Sequence, residues 1–133
     1  MLSEDMYQEN ILEHYKHPHN FGMLEQKDID VREVNPLCGD VVEMQIILKG
    51  DVIEDIKFHG KGCAISQAAT SMLTDEVKGK TLKEATEMTK QKILGMLGVE
   101  ISPVRQKCAF LGLKVLHMCL EKAGHASSKD SHC

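Results

Sequence analysis

No apolar run in this 133-residue chain approaches the roughly 20 residues that a membrane-spanning helix needs. The opening Met1-Leu2-Ser3-Glu4-Asp5 lacks a basic n-region, so neither a membrane span nor secretion is expected and the chain reads as cytoplasmic. Basic excess is missing as well. A formal net charge of −4, without a Lys/Arg cluster, argues against phosphate-backbone binding, so nucleic acid is not an expected partner. Closely spaced cysteine pairs are also absent. The five cysteines are odd in number and dispersed, and in a reducing compartment such thiols serve as ligands, nucleophiles or core residues rather than disulfides. What is plentiful, 42% hydrophobic and 27% charged residues, suits one globular domain around a single core.

The hydrophobic periodicity changes twice along the chain. Tyr7, Ile11 and Tyr15 recur at helical spacing and place an amphipathic helix over residues 3–16, which His17-Pro18 stops. From Asp28 the period becomes that of strands. Val42, Met44, Ile46 and Leu48 alternate with Glu43, Gln45 and Ile47, and Ile56 and Phe58 alternate with Asp55, Lys57 and His59, with Lys49-Gly50-Asp51 as the turn between them. A first strand over residues 29–34 completes a three-stranded antiparallel sheet, because a two-stranded ribbon alone is marginal.

After Cys63 the pattern is helical again. Ile65, Ala68, Ala69, Met72, Leu73 and Val77 form one stripe, with Ser66, Gln67, Thr70, Thr74 and Asp75 opposite, and the helix is expected to end near Lys78-Gly79. Thr81-Leu82-Lys83-Glu84 has the form of a capping box opening another helix. A short helix over Ile93–Leu97 stops at Gly98, and a final, mostly buried helix runs from Pro103 to Lys122 with a wet seam at Lys107, Lys114 and Glu121. The fold class is therefore α+β: a three-stranded antiparallel sheet packed by an N-terminal helix and several C-terminal helices. Residues 124–133 contain no large apolar group to offset the roughly 1–2 kcal/mol per residue of ordering entropy, so residues 1–123 are expected to form the domain and 124–133 a flexible tail.

Three cysteines sit in Gly- or Pro-marked loops, where a scaffold can bring distant thiolates together. Cys38 lies in Asn35-Pro36-Leu37-Cys38-Gly39-Asp40, Cys63 in Gly60-Lys61-Gly62-Cys63, and Cys108 shortly after Ser102-Pro103. Gly39 permits a positive φ or a close backbone approach at the first of these turns. Cys63 is expected at a helix N-terminus, whose unpaired amides favour an anionic sulfur, and the same argument applies more weakly to Cys108. Asp40 adds a carboxylate, on a side of its strand that the sequence does not fix. Three thiolates and a carboxylate would satisfy tetrahedral zinc or, equally, the four protein positions of a [2Fe–2S] cluster. As spacing alone goes, the same cysteines could instead be small core hydrophobes.

Four segments in order change that balance through likeness. His14-Tyr15-Lys16-His17-Pro18-His19-Asn20-Phe21-Gly22, Asn35–Asp40, Gly60–Ala68 and Pro103–Ala109 resemble the opening helix and the three ligand loops of the U-type iron–sulfur cluster assembly scaffolds. That family includes IscU, the N-terminal domain of NifU, and SufU, and the resemblance covers nearly all of residues 5–122. It implies a SufE/NifU-like fold and a scaffold that accepts sulfur from a cysteine desulfurase, binds iron, assembles a labile [2Fe–2S] cluster and passes it to acceptor apo-proteins or cluster carriers. It further implies that Cys38, Asp40, Cys63 and Cys108 bind the cluster or metal, that Cys108 accepts the persulfide, and that the protein is a sulfur acceptor more than a turnover enzyme. A carboxylate is a harder, weaker partner for such iron than thiolate, so Asp40 would ease release. A shared cluster would favour a homodimer, a zinc site capped by its own ligands a monomer.

Two departures from the family pattern point elsewhere. Lys107 stands where IscU-type members carry a histidine, which is similar to SufU-type members and supports the alternative of a zinc-dependent sulfurtransferase, with Zn²⁺ in the same site. Between the second and third cysteines the chain is compact, as IscU is. Ile101-Ser102-Pro103-Val104-Arg105 departs from the Leu-Pro-Pro-Val-Lys segment that a dedicated chaperone recognises in IscU. Lys107 is read here as an exposed seam residue, Cys119 as core because about 16 Å of helix separates it from Cys108, and Cys133 as an exposed tail thiol. Surface or capping roles are expected for His14, His17, His59 and His117, with His59 near enough to Cys63 to be a candidate ligand, and amphipathic packing is expected for Tyr7.

Overall fold

The computed structural model describes residues 2–36, 39–98 and 100–124, with side chains described from Glu9 onward. Cys38, the side chain of Tyr7, and the tail over residues 125–133 with Cys133 lie outside the described residues. The chain runs α1 (Leu2–Lys16), β1 (Ile29–Val34), β2 (Val41–Lys49), β3 (Val52–Lys61), α2 (Ala64–Val77), α3 (Leu82–Ala85), α4 (Lys90–Leu97), α5 (Pro103–Ala109) and α6 (Leu111–Lys122). No helix among the described residues is long and apolar enough to cross a membrane.

The strands form an antiparallel meander in the order β1-β2-β3. The registers Val31↔Met44↔Phe58 and Ile29↔Ile46↔Ile56 put the apolar members of each alternation on one face, which α2 and α6 cover. The other face departs from the simple apolar-in, polar-out expectation. Gln45 is buried there because the segment after α1 folds over the sheet, and its Oε1 accepts the Leu24 N–H at 2.7 Å. Asn20 and Gly22 pair with both backbone groups of Phe58, so this segment also shields the outer edge of β3. Tyr15, expected on the apolar stripe of α1, is 43% exposed, whereas Ile11 is buried.

Helix α2 is the centre of the molecule. Most of its expected polar side is buried along with its apolar side: Ser66, Gln67, Thr70 and Thr74 are enclosed, as is Ser71, and Asp75 alone of that expected face is exposed, because α1, α5 and α6 pack around the helix on the sheet. Short hydroxyl side chains suit this position, since Thr70 and Thr74 donate to backbone carbonyls one turn earlier. The capping box at Thr81 and Glu84 is formed, with both reciprocal hydrogen bonds present, and α4 ends at Gly98 with φ 77°.

The single C-terminal helix expected over residues 103–122 is instead two. Phe110, at φ −96° and ψ 0°, separates α5 from α6. The break lets both segments contact α2 in different directions. Helix α6 packs so closely that a β-carbon on Gly112 would meet Thr70 Oγ1 at 2.4 Å. Helix α5 carries Cys108 inward. His117 is likewise not on the surface: it is buried, with Nε2 3.2 Å from the Met88 carbonyl.

Candidate metal centre

Three chain segments converge at one end of the sheet. The β1–β2 connection closes through Asn35 N–H to the Asp40 carbonyl at 2.8 Å and Gly39 N–H to the Asn35 carbonyl at 2.7 Å, with Gly39 at φ 77°. That tight turn, possible because glycine tolerates a positive φ, delivers Asp40 at the start of β2. The Val41↔Lys61 register then sets Gly62 and Cys63 beside Asp40. Cys63 is the N-cap of α2, its sulfur accepting the Ser66 N–H at 3.5 Å.

Asp40, Cys63 and Cys108 each present a donor atom, and these lie within 4.8 Å of one another. Asp40 and Cys108 are buried and Cys63 is half-buried. Among the described residues Asp40 Oδ2 is enclosed without a hydrogen-bond partner, an arrangement that costs free energy unless a cation or a donor meets it. The missing Cβ of Gly62 is what admits the carboxylate, since a β-carbon there would lie 2.8 Å from Asp40 Cγ. Tetrahedral zinc with thiolates at about 2.3 Å needs donors roughly 3.8 Å apart, a separation that small side-chain rotations reach from here. A donor set of sulfur plus one carboxylate fits zinc or an iron–sulfur cluster.

Cys108 reaches the site differently from the sequence expectation. It lies near the end of α5, not in its first turn, so the N-terminus of that helix does not act on it. Lys107 is exposed, as the seam reading has it. Lys114 pairs with Glu33 at 3.2 Å. His59 is directed to Glu43, 3.3 Å away, and is not among the grouped donors. Cys119 is fully enclosed, and burial pushes its thiol up to about 12. A groove of about 390 Å³ lies beside the site, lined by Pro36, Pro103, Gln106, Lys107 and Phe110 among others.

Sequence reasoning gave no steric task to Gly62, although its place opposite Asp40 follows from strand register. His14 was expected at the surface, yet its side chain is 12% exposed and its Nδ1 lies 2.7 Å from Ser71 Oγ. Its neighbour His19, five positions on across Pro18, had no separate reading.

A small α+β meander with two cysteine sulfurs and a carboxylate gathered where strand, helix and turn meet has the donor set of a metal- or cluster-holding scaffold. Residues 6–128 match the NifU-like N terminal domain family, and the chain belongs to that family. It is 37% identical over 136 residues to the zinc-dependent sulfurtransferase SufU of Bacillus subtilis, covering 90% of this chain and 92% of that one. It is 38% identical over 117 residues to the iron-sulfur cluster assembly scaffold protein IscU of Aquifex aeolicus, covering 86% and 74%. Among solved structures, a putative iron-sulfur cluster assembly scaffold protein for the SUF system from Fervidobacterium islandicum superposes with a TM-score of 0.72 at 32% identity, covering 89% and 98%.

Proposed function

We propose that this protein is an iron–sulfur cluster assembly scaffold whose cargo, a labile [2Fe–2S] cluster, is held by Cys38, Asp40, Cys63 and Cys108. The observation that carries the reading is the gathering of Asp40, Cys63 and Cys108 donors around a buried carboxylate oxygen with no hydrogen-bond partner among the described residues. Cys38 belongs to the same turn by sequence, two positions before Asp40. Residues 1–123 act as the scaffold domain.

Cys108 is the sulfur acceptor. Its thiolate attacks the sulfane sulfur of a persulfide on a cysteine desulfurase; the new S–S bond forms on Cys108 as the old one breaks, and the desulfurase cysteine leaves as thiolate. The groove beside α5, walled by Pro36, Pro103 and Lys107, offers the donor an approach to this end of the molecule. Cys63 and Cys38 supply soft thiolate ligands for iron. Asp40 supplies the hard, weaker one, which limits how tightly the cargo is kept and so favours its passage to acceptor apo-proteins or carriers. A cluster bound at this half-exposed edge is compatible with a homodimer in the loaded state.

The test is Asp40→Cys, which puts a fourth thiolate in place of the carboxylate. A cluster reconstituted on that variant is expected to live longer and transfer more slowly than on the native chain, followed by visible absorption with an apo-ferredoxin as acceptor. Unchanged lifetime and transfer would contradict the role of Asp40.

A second reading is a zinc-dependent sulfurtransferase in which zinc occupies the same donors and Cys108 receives the persulfide. Likeness to the Bacillus protein along nearly its whole length and Lys107 before the third cysteine favour it. Against it stands the compact segment between Cys63 and Cys108, which is similar to IscU-type members. If zinc-loaded protein fails to raise desulfurase turnover, this reading falls.

A further inference from the structure

We infer that Glu13, His14 and His19 form a second divalent-cation site, for zinc or a neighbouring late first-row metal, where the end of α1 and the turn after it meet α2.

The donor atoms of these three residues lie within 4.8 Å of one another. The way each ring is held makes the grouping more than proximity. Both Nδ1 atoms are already engaged from α2: that of His14 with Ser71 Oγ at 2.7 Å, and that of His19 with the Asp75 carboxylate. Both Nε2 atoms instead face Glu13, at 3.9 Å for His14 and 3.6 Å for His19, each approaching a carboxylate oxygen. A metal-binding imidazole ordinarily donates its second N–H to a carboxylate, hydroxyl or carbonyl that fixes the tautomer and orients the ring. Here Asp75 and Ser71 stand in that supporting position, and Glu13 closes the third side.

The supports are themselves fixed. Asp75 Oδ1 accepts from Asn20 Nδ2 at 3.0 Å, and Asn20 holds a left-handed backbone at φ 57°. The Ser71 hydroxyl oxygen also accepts the His19 backbone N–H at 2.8 Å, and its two lone pairs accommodate both the ring and the amide. The donor atoms lie within 4.8 Å of one another, and ligands at about 2.0–2.1 Å around a tetrahedral zinc sit roughly 3.4 Å apart, so modest side-chain rotations close the site, with water in the remaining position. Burial, then the neighbouring His19, lowers the His14 pKa, whereas the hydrogen bond from Asp75 raises that of His19, so a cation binding here displaces a proton from the His19 ring.

The site is separate from the Cys63 centre. Ser71 and Cys63 belong to the same helix and its cap, about 12 Å apart along the axis at about 1.5 Å per residue, so no donor is shared. Two imidazoles and one carboxylate, without sulfur, suit zinc, nickel or copper better than an iron–sulfur cluster. A cation there would fasten α1 to α2.

The experiment is a titration of zinc alone, anaerobically, into the full chain with ¹⁵N-labelled histidine, continued past the first equivalent. A second equivalent is expected to bind, moving the Nε2 resonances of His14 and His19 while their Nδ1 atoms stay protonated. Glu13→Gln, at an exposed position, is expected to weaken that second equivalent by about tenfold or more and leave the first unchanged. His19→Gln is expected to abolish the zinc-dependent shift at His14. No second equivalent in excess zinc, or one that leaves both rings unmoved, would overturn the inference. So would a second equivalent that Glu13→Gln holds as tightly as the native chain does.

Discussion

The carboxylate of Asp40 rests against the α-carbon of Gly62, so closely that a β-carbon there would stand 2.8 Å from Cγ and 3.0 Å from Oδ1. The carboxylate of the candidate site thus depends on a residue that has no side chain to offer a ligand. Gly62→Ala must push Asp40 out of place, and changes of this supporting kind typically reduce metal affinity by about 10–100-fold. Competition of each protein with a chromogenic chelator for zinc measures the loss; equal affinities would show that Asp40 has room to adapt.

Metal loading is expected to stabilise the fold through the same carboxylate. A ligand at about 1,000 times its Kd adds about 4 kcal/mol, on the order of 10 °C in Tm for a domain of this size. The difference between zinc-loaded and EDTA-treated Tm is therefore expected to be of that order for the native chain and much smaller for Asp40→Ala. Taking the difference within each variant removes any effect of the substitution on the metal-free fold.

Cys119 is predicted to be chemically silent. Burial holds its thiol near 12, opposed only in part by Lys122, so at pH 8 almost none of it is thiolate and none is accessible. Iodoacetamide under native conditions is expected to label half-buried Cys63 and leave Cys119 unmodified until denaturant is added, as read by peptide mass spectrometry.

Gly112→Ala tests the packing of α6 on α2. In an exposed helix this change stabilises by about 1 kcal/mol, but here the new methyl would collide with Thr70 Oγ1. Overpacking of this kind costs about 1–3 kcal/mol, so the urea midpoint is expected to fall rather than rise.

The order of elements was legible because each has its own period and punctuation: the alternation of Val42, Met44 and Ile46, the Thr81–Glu84 box, and the stop at Gly98. The break at Phe110 was not, because residues 103–122 carry a nearly continuous apolar pattern and the reason for the break is tertiary, the need of α5 and α6 to meet α2 along different directions. The same helix explains the other misreadings. Ser66, Thr70 and Thr74 look like a wet face until α1, α5 and α6 are packed around them, and His14 looks exposed until Ser71 is placed beneath it. Asp40, Cys63 and Cys108 could be nominated from their loops and from family likeness, but the side on which Asp40 falls is decided by strand register.

The central claim is tested most directly by iron and acid-labile sulfide analysis, with visible absorption, after anaerobic reconstitution by a cysteine desulfurase, cysteine, ferrous iron and a dithiol that supplies the two electrons taking each sulfane sulfur to sulfide, comparing the native chain with Cys63→Ser. The account predicts equal amounts of iron and sulfide with charge-transfer bands on the native chain, and loss of both on the variant. Zinc retained without sulfide on the native chain, with no cluster formed, would contradict it.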